Sequence, residues 1–174
     1  MLKKVIVDDS FSDLSRLKRL YVSSFPRNER IPFRWLRTQS QEKELNAYYD
    51  QDRLCGLSFL YFTEDLVYLS YLAISKEFRH QGLGSQILRQ IVAEYSDRRI
   101  VVDIEEVKGN DQVKEKRRDF YCRNGFRQTD IIYHFFGVDY ELLAANGKIN
   151  TTDWQQLTQT IWGFRARNLV ISQR

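Results

Sequence analysis

The chain has 174 residues, the size of one domain, since domains usually hold ~100–150 residues. With 43% hydrophobic and 29% charged residues it is too apolar for disorder, while apolar runs such as Ile131 to Val138 fall far short of the ~20 residues a membrane helix needs. The net charge of +4, from 27 basic and 23 acidic residues, is a mild excess that suits an anionic small ligand or a weak nucleic-acid contact and identifies neither.

In chain order, the first residues predict a short strand at Val5, Ile6 and Val7. Phe11 to Phe25 places Leu14, Leu17, Leu20, Tyr21 and Phe25 at helical spacing. Ser12 or Asp13 is placed to cap that helix and Pro26 to stop it. A short helical stretch follows around Phe33 to Arg37. The period then changes. Leu45 to Tyr49, Leu54 to Phe62 and Leu66 to Ile74 are separated by the turns Asp50-Gln51-Asp52 and Thr63-Glu64-Asp65, which predicts an antiparallel meander. Leu66 to Ile74 is apolar on both faces, as an interior strand is.

A glycine turn, Gln81-Gly82-Leu83-Gly84, opens an amphipathic helix running to about Ser96. Ile87, Leu88, Ile91, Val92 and Tyr95 share one face, and Gln86, Arg89, Gln90 and Glu94 the other. Ile100 to Ile104 is a further strand, completing a βαβ crossover. A charged stretch leads into a helix ending at Asn124-Gly125, a C-cap signal. Strands at Phe126 to Phe136 and Val138 to Ala144 follow. Thr152 and Gln155 have the spacing of a capping box for a last helix, residues 151–164, with Trp154, Leu157 and Ile161 inward. The expectation is one α/β domain, residues 1–174, with a mixed sheet and that last helix as an accessory.

Cys55 and Cys122 form no CxxC pair, and two cysteines in a chain this long are no disulfide framework. With only His80 and His134, and no HExxH, no metal site is expected. The opening residues do not read as a signal peptide, so a reducing cytoplasm is the expected location.

The chemistry-bearing segment runs from Leu72-Ala73-Ile74 to Arg79-His80-Gln81-Gly82-Leu83-Gly84-Ser85. Glycines at 82 and 84 let the backbone approach a ligand closely. Amides at the start of the following helix then suit a phosphate. No lysine stands where a Walker site needs one. A dinucleotide site of GxGxxG type meets Ile87 at its third glycine position, with Asp103 or Glu105 as the ribose contact, but its glycines follow a first strand directly. Here Ser75 to Gln81 intervenes. A second signature lies downstream, Phe120-Tyr121-Cys122-Arg123-Asn124-Gly125-Phe126.

These pieces together resemble the GNAT superfamily of acetyl-CoA-dependent N-acetyltransferases. The matching parts are Leu72-Ala73-Ile74, Arg79-x-x-Gly82-x-Gly84 and Phe120-Tyr121-x-x-x-Gly125-Phe126, in the family's order, within a pattern of elements that agrees from about residue 3 to 144. The resemblance implies antiparallel N-terminal strands, flanking helices and a splayed parallel pair, Leu66 to Ile74 and Ile100 to Ile104, with acetyl-CoA entering between them. Backbone groups of Leu72, Ala73 and Ile74 would bind the pantetheine arm. Arg79, His80, Gln81, Gly82, Leu83, Gly84 and Ser85 would hold the pyrophosphate.

Tyr121 would face the CoA sulfur. A phenol near pKa ~10 beside a thiol near ~8.5 can donate to the departing thiolate. The acceptor amine, titrating near ~10.4 if lysine-like, needs a base or water path. The histone-acetylating branch has a glutamate on the first splayed strand, and that place here is Tyr68. Glu105, with Glu106, and Glu29 in the segment bordering the acceptor are the candidate carboxylates. A second departure is Lys114, where many relatives have an asparagine.

The implied reaction is direct attack by a primary amine of a small molecule or peptide on acetyl-CoA in a ternary complex. The alternative is a non-catalytic acyl-CoA-binding sensor or scaffold, to which the departures at Tyr68 and Lys114 point. Nucleic-acid binding lacks a basic stripe interleaved with aromatics, and no membrane partner is expected. Monomer and homodimer both remain open, and Pro26 to Gln39 with the strands after Gly125 would shape the acceptor pocket.

Overall fold

The computed structural model describes residues 2–38, 40–163, 166 and 169–173. The chain divides into two units. The first takes residues up to Phe62 and then Leu69–Ile91; the second takes Thr63–Tyr68 and the chain from Val92 onward.

In the first unit, β1 (Lys3–Ile6), β2 (Lys43–Asp50) and β3 (Arg53–Phe62) run antiparallel, with Val5 opposite Ala47 and Leu45 opposite Phe59. Gln51 and Asp52 both have positive φ, 46° and 61°, the geometry of a two-residue hairpin turn whose twist matches its strands. Strand β4 (Leu66–Ile74) matches its predicted limits. Helix α1 (Leu14–Ser24) presents Leu17, Leu20 and Tyr21 to the core beside Leu57, Phe59 and Tyr71. Its Asp13 sits at the cap position without capping, because its carboxylate accepts from Tyr49 at 3.0 Å. Helix α2 (Phe33–Arg37) lies where a short helical stretch is expected. Gly56 lies where a Cβ would stand 3.0 Å from both the Ala73 carbonyl and Ile87 Cδ1, so only glycine lets β3, β4 and the next helix pack this closely. That helix, α3 (Leu83–Glu94), buries Leu83, Ile87, Leu88 and Ile91.

In the second unit, the start of β4 runs parallel to β5 (Arg99–Glu105), pairing Leu66 with Arg99, Val67 with Ile100 and Tyr68 with Val101. Next come α4 (Gln112–Arg123), β6 (Arg127–Phe135), β7 (Val138–Ala145), α5 (Thr151–Trp162) and β8 (Val170–Gln173). The strands are hydrogen-bonded in the order β1-β2-β3-β4-β5-β7-β6-β8. Antiparallel ladders thus flank one parallel pair, as the mixed-sheet expectation required.

The capping box of α5 differs from the predicted one. Asn150 and Asp153 form it, at 2.9 and 2.8 Å, instead of Thr152 and Gln155. Asparagine is a stronger N-cap than threonine, and Asp153 is further held by Arg99 at 2.7 Å. Phe164 and Gln39, at the ends of two expected segments, lie outside the described residues. No helix of the described residues is long and apolar enough to cross a membrane.

Candidate acyl-transfer site

The glycine turn of the first unit is braced from within. A single 3-10 turn, Lys76–Phe78, leads into it. Arg53 pairs with Glu77 and lies 4.7 Å over the Phe78 ring. Gln81 Nε2 donates to the Glu77 carbonyl at 2.9 Å, and Arg79 Nε donates to the Ile74 carbonyl at 3.1 Å. Arg79 therefore anchors the end of β4. His80 and Gly82 both take left-handed φ, 62° and 76°. Arg79, His80, Gln81 and Gly82 are exposed, Leu83 is buried, and Gly84 and Ser85 are half-buried.

The first intrahelical bond of α3 runs from the Gln86 amide to the Gly82 carbonyl. The amides of Leu83 and Gly84 precede it, and a helix start leaves such donors without a carbonyl one turn back. Exposed donors, the helix dipole and an open turn together fit a phosphate. Beside the turn lies a cleft of about 1130 Å³. Arg16, Lys18 and Arg19 of α1 line it with Lys76 and Arg79, against Glu77. Of the strand residues, Ala73 is in the core while Leu72 and Ile74 are half-buried on the alternate face.

The expected acceptor-side segment belongs to the first unit too. Tyr71 OH donates to the Glu29 carbonyl at 2.6 Å and accepts from the Ile31 amide at 3.3 Å, while Tyr21 OH donates to the Ile31 carbonyl at 3.0 Å. Two core phenols thus fix the backbone that carries Glu29.

In the second unit, α4 starts with Asp111 accepting from the Val113 and Lys114 amides, both at 3.1 Å. It ends where Asn124 Nδ2 donates to the Phe120 carbonyl at 2.7 Å and Gly125 takes φ 94°. Tyr121 is buried between Phe120 and Phe126, with ring centroids at 5.2 and 5.5 Å. Burial raises its pKa well above the ordinary phenol value; the Asp103 charge adds to that and Arg117 opposes it. Among the described residues its hydroxyl has no hydrogen-bond partner, so it remains a protonated donor available to a ligand. Glu105 is engaged by Lys114 at 2.7 Å. The lysine at the departing position therefore meets a carboxylate of its own chain. Glu106 is buried and paired with Lys108 at 2.8 Å.

Sequence reasoning passed over Asp103 as an acyl-transfer residue. Tyr68 OH donates to its Oδ1 at 2.8 Å and Tyr133 OH to its Oδ2 at 2.6 Å. A lone acid inside the apolar run Ile100 to Ile104 was the available signal.

A family model described as "Acetyltransferase (GNAT) domain" matches residues 42–128, half of the chain. The chain belongs to the GNAT acetyltransferase family. The match includes β2, β3, β4, the glycine turn, α3, β5 and the helix of Tyr121. This GNAT chain is 28% identical over 99 residues to YjbC of Bacillus subtilis (strain 168), a protein named as an acetyltransferase; the match covers 56% of this chain and 48% of that protein. The chain thus spans about half the length of that curated relative.

Among solved structures, it is similar to a protein of Bacteroides thetaiotaomicron described as a GNAT-family acetyltransferase. The TM-score is 0.76 at 21% identity, over 92% of this chain and 98% of that one. A Bacillus subtilis acetyltransferase solved in complex with CoA gives a TM-score of 0.64 at 18% identity, over 83% and 98% of the two chains. At these identities the likeness speaks for the fold.

Proposed function

We propose that this GNAT chain transfers an acetyl group from acetyl-CoA to a primary amine of a small molecule or peptide. Transfer proceeds by direct attack within a ternary complex. The observation that carries this reading is the turn Arg79–Ser85. Its left-handed His80 and Gly82, exposed backbone and helix start form a cradle for a diphosphate, within a chain whose family is defined by acetyl transfer.

In this reading the amides from Gln81 to Ser85 hold the pyrophosphate. Backbone groups of Leu72, Ala73 and Ile74 take the pantetheine arm as an added strand. The amine nitrogen forms the new bond to the acetyl carbon, the carbon–sulfur bond breaks, and Tyr121 supplies a proton to the thiolate. Glu105 is a candidate proton acceptor once its ion pair with Lys114 opens. Glu29 is a candidate acceptor contact. The expected cytoplasmic location suits an acetyl-CoA user.

The test is release of CoA thiol when the purified protein meets acetyl-CoA and a panel of primary amines. Release with at least one acceptor supports the reading. Tight CoA binding with no release across the panel favours the sensor or scaffold reading. That reading draws on one specific observation, Tyr68 standing where a glutamate base is found in a branch of the family and donating to Asp103.

A further inference from the structure

The basic excess of the chain is not spread evenly. From Leu14 to Arg37 the sequence holds seven basic residues and one acid, Glu29, while the whole chain nets only +4. The remainder is therefore slightly acidic. Helices α1 and α2 carry five of the seven. Lys18, Arg19 and Arg34 are exposed on them, as is Lys76 in the turn after β4. Among the described residues no carboxylate pairs with any of these four. Their neighbours are partly neutralised: Arg16 faces Asp13 at 3.8 Å, Arg37 faces Asp9 at 3.6 Å, and Arg53 pairs with Glu77. Uncompensated cations along a concave surface concentrate its potential and draw in anions.

The surface they line is concave. The cleft of about 1130 Å³ beside the glycine turn adjoins a second, of about 490 Å³, between α1 and α2, and Ser15 and Lys18 line both. The joined trough belongs wholly to the first unit. It has an apolar floor, with Leu20, Leu54 and Phe78 in the larger part and Leu14 and Phe33 in the smaller. Among the described residues Glu77 is the one acid that lines it. Shape and lining discriminate between anions. A planar lipid surface does not enter a concavity. A single-stranded nucleic acid is held by ring faces on which its bases stack, and the rings here are engaged. Phe78 is 6% exposed beneath the Arg53 guanidinium, Phe33 packs on Tyr21 at 5.7 Å, and the exposed Trp35 lines neither cleft. Carboxylates need only guanidinium and ammonium donors, and an apolar floor takes apolar side chains placed between them.

We propose that this trough docks an acidic peptide segment of a partner protein, with apolar residues set between its carboxylates. The carboxylates meet Lys18, Arg19, Arg34 and Lys76 along the rim, and the apolar side chains cover the floor. This goes beyond the acyl-transfer reading and does not require it.

Fluorescence anisotropy on the whole chain, without acetyl-CoA, tests this. The probe is a short labelled peptide, acetylated at its N-terminus, in which pairs of Glu alternate with single Leu or Phe residues. It should bind at least ~10-fold tighter than the same peptide with Gln for Glu, or with Ser for Leu and Phe, and should weaken as salt rises. Lys18→Glu combined with Arg19→Glu should cut its affinity at least ~10-fold. Arg127→Glu combined with Lys148→Glu makes the same charge change on exposed residues of the second unit and should leave it nearly unaltered. No binding, equal binding of the Gln or the Ser peptide, or an equal loss in the two charge-reversed variants overturns the proposal. So does stronger competition by oligouridylate or by phosphatidylglycerol vesicles than by unlabelled peptide. Displacement of the peptide by saturating CoA would assign the cleft to the cofactor and overturns it too. The wild-type comparisons decide the matter even if a variant does not fold, and an absence of CoA thiol release leaves this inference standing.

Discussion

The Tyr133 hydroxyl donates to Oδ2 of Asp103 at 2.6 Å, although β7 lies between their strands in the sheet. Tyr68, on the strand at the other flank of β5, donates to Oδ1 at 2.8 Å. One carboxylate is therefore clamped from both sides by neutral donors. Its position is well determined while its charge is left uncompensated.

That arrangement fixes the sign of a pH effect on stability. Burial holds the folded pKa of Asp103 above its unfolded value, near ~3.9 for an exposed aspartate. A raised acid contributes stability that is fully present below the unfolded pKa and is lost as pH rises through the folded one. Asp103→Asn cannot ionise and escapes that loss. The Tm of the variant minus that of the wild type should rise between about pH 4 and neutrality. Thermal unfolding of both proteins across that range measures it, and a flat or falling difference would contradict the raised carboxylate.

Tyr121 has the opposite charge requirement. Burial, and then the nearby Asp103 charge, keep its phenol protonated, so at neutral pH it is a donor rather than a base. Tyr121→Phe preserves the ring contacts to Phe120 and Phe126 and removes only the hydroxyl group. Steady-state kinetics should show kcat reduced by ~10²-fold or more, the scale of general acid catalysis, with the KM for acetyl-CoA little changed. An unaltered kcat would remove the proton-donor role.

The difference between what was and was not legible in the sequence is one of range. Leu66–Ile74 could be read to the residue because its apolar run is bounded by turn and polar residues. Asp13 marked the start of α1, yet Tyr49 draws its carboxylate away, a contact between residues 36 apart in the chain that no local rule contains. The Asp103 cluster is a stronger case. Its two phenols lie 35 and 30 residues away, and Trp154 further still. A strand pattern reads each as an apolar or aromatic position and cannot report that they meet. Strand β8, four residues long, is too short for a period to declare itself and exists by pairing with β6.

Gly82 separates backbone strain from ligand approach. Its φ of 76° is left-handed, and a Cβ there would meet nothing within 4 Å. Gly82→Ala should therefore fold at a cost of about 1–2 kcal/mol, lowering Tm by roughly 2–8 °C. In the acyl-transfer reading it should also raise the KM for acetyl-CoA by ~10-fold, since a methyl group obstructs close backbone approach. Gly125→Ala is the control. Its φ is 94° with equally open space, so it should lose comparable stability and leave that KM alone. Equal KM values for the two variants would detach the turn from CoA.

Gly56 answers to packing instead of backbone angle. An added Cβ would stand 3.0 Å from the Ala73 carbonyl oxygen, 3.0 Å from Ile87 Cδ1 and 3.1 Å from Ile74 Cδ1. The two side-chain tips can rotate away, but the carbonyl belongs to the sheet and cannot. Gly56→Ala should thus destabilise by about 1–3 kcal/mol, the usual cost of overpacking, and lower the urea midpoint without changing the slope. Ile87→Val removes the Cδ1 atom and relieves part of the clash. In the Gly56→Ala background it should therefore cost less than in the wild type, giving a coupling of about 0.5 kcal/mol or more between residues in contact. Purely additive costs would mean that the crowding lies with the Ala73 carbonyl and Ile74 and not with Ile87.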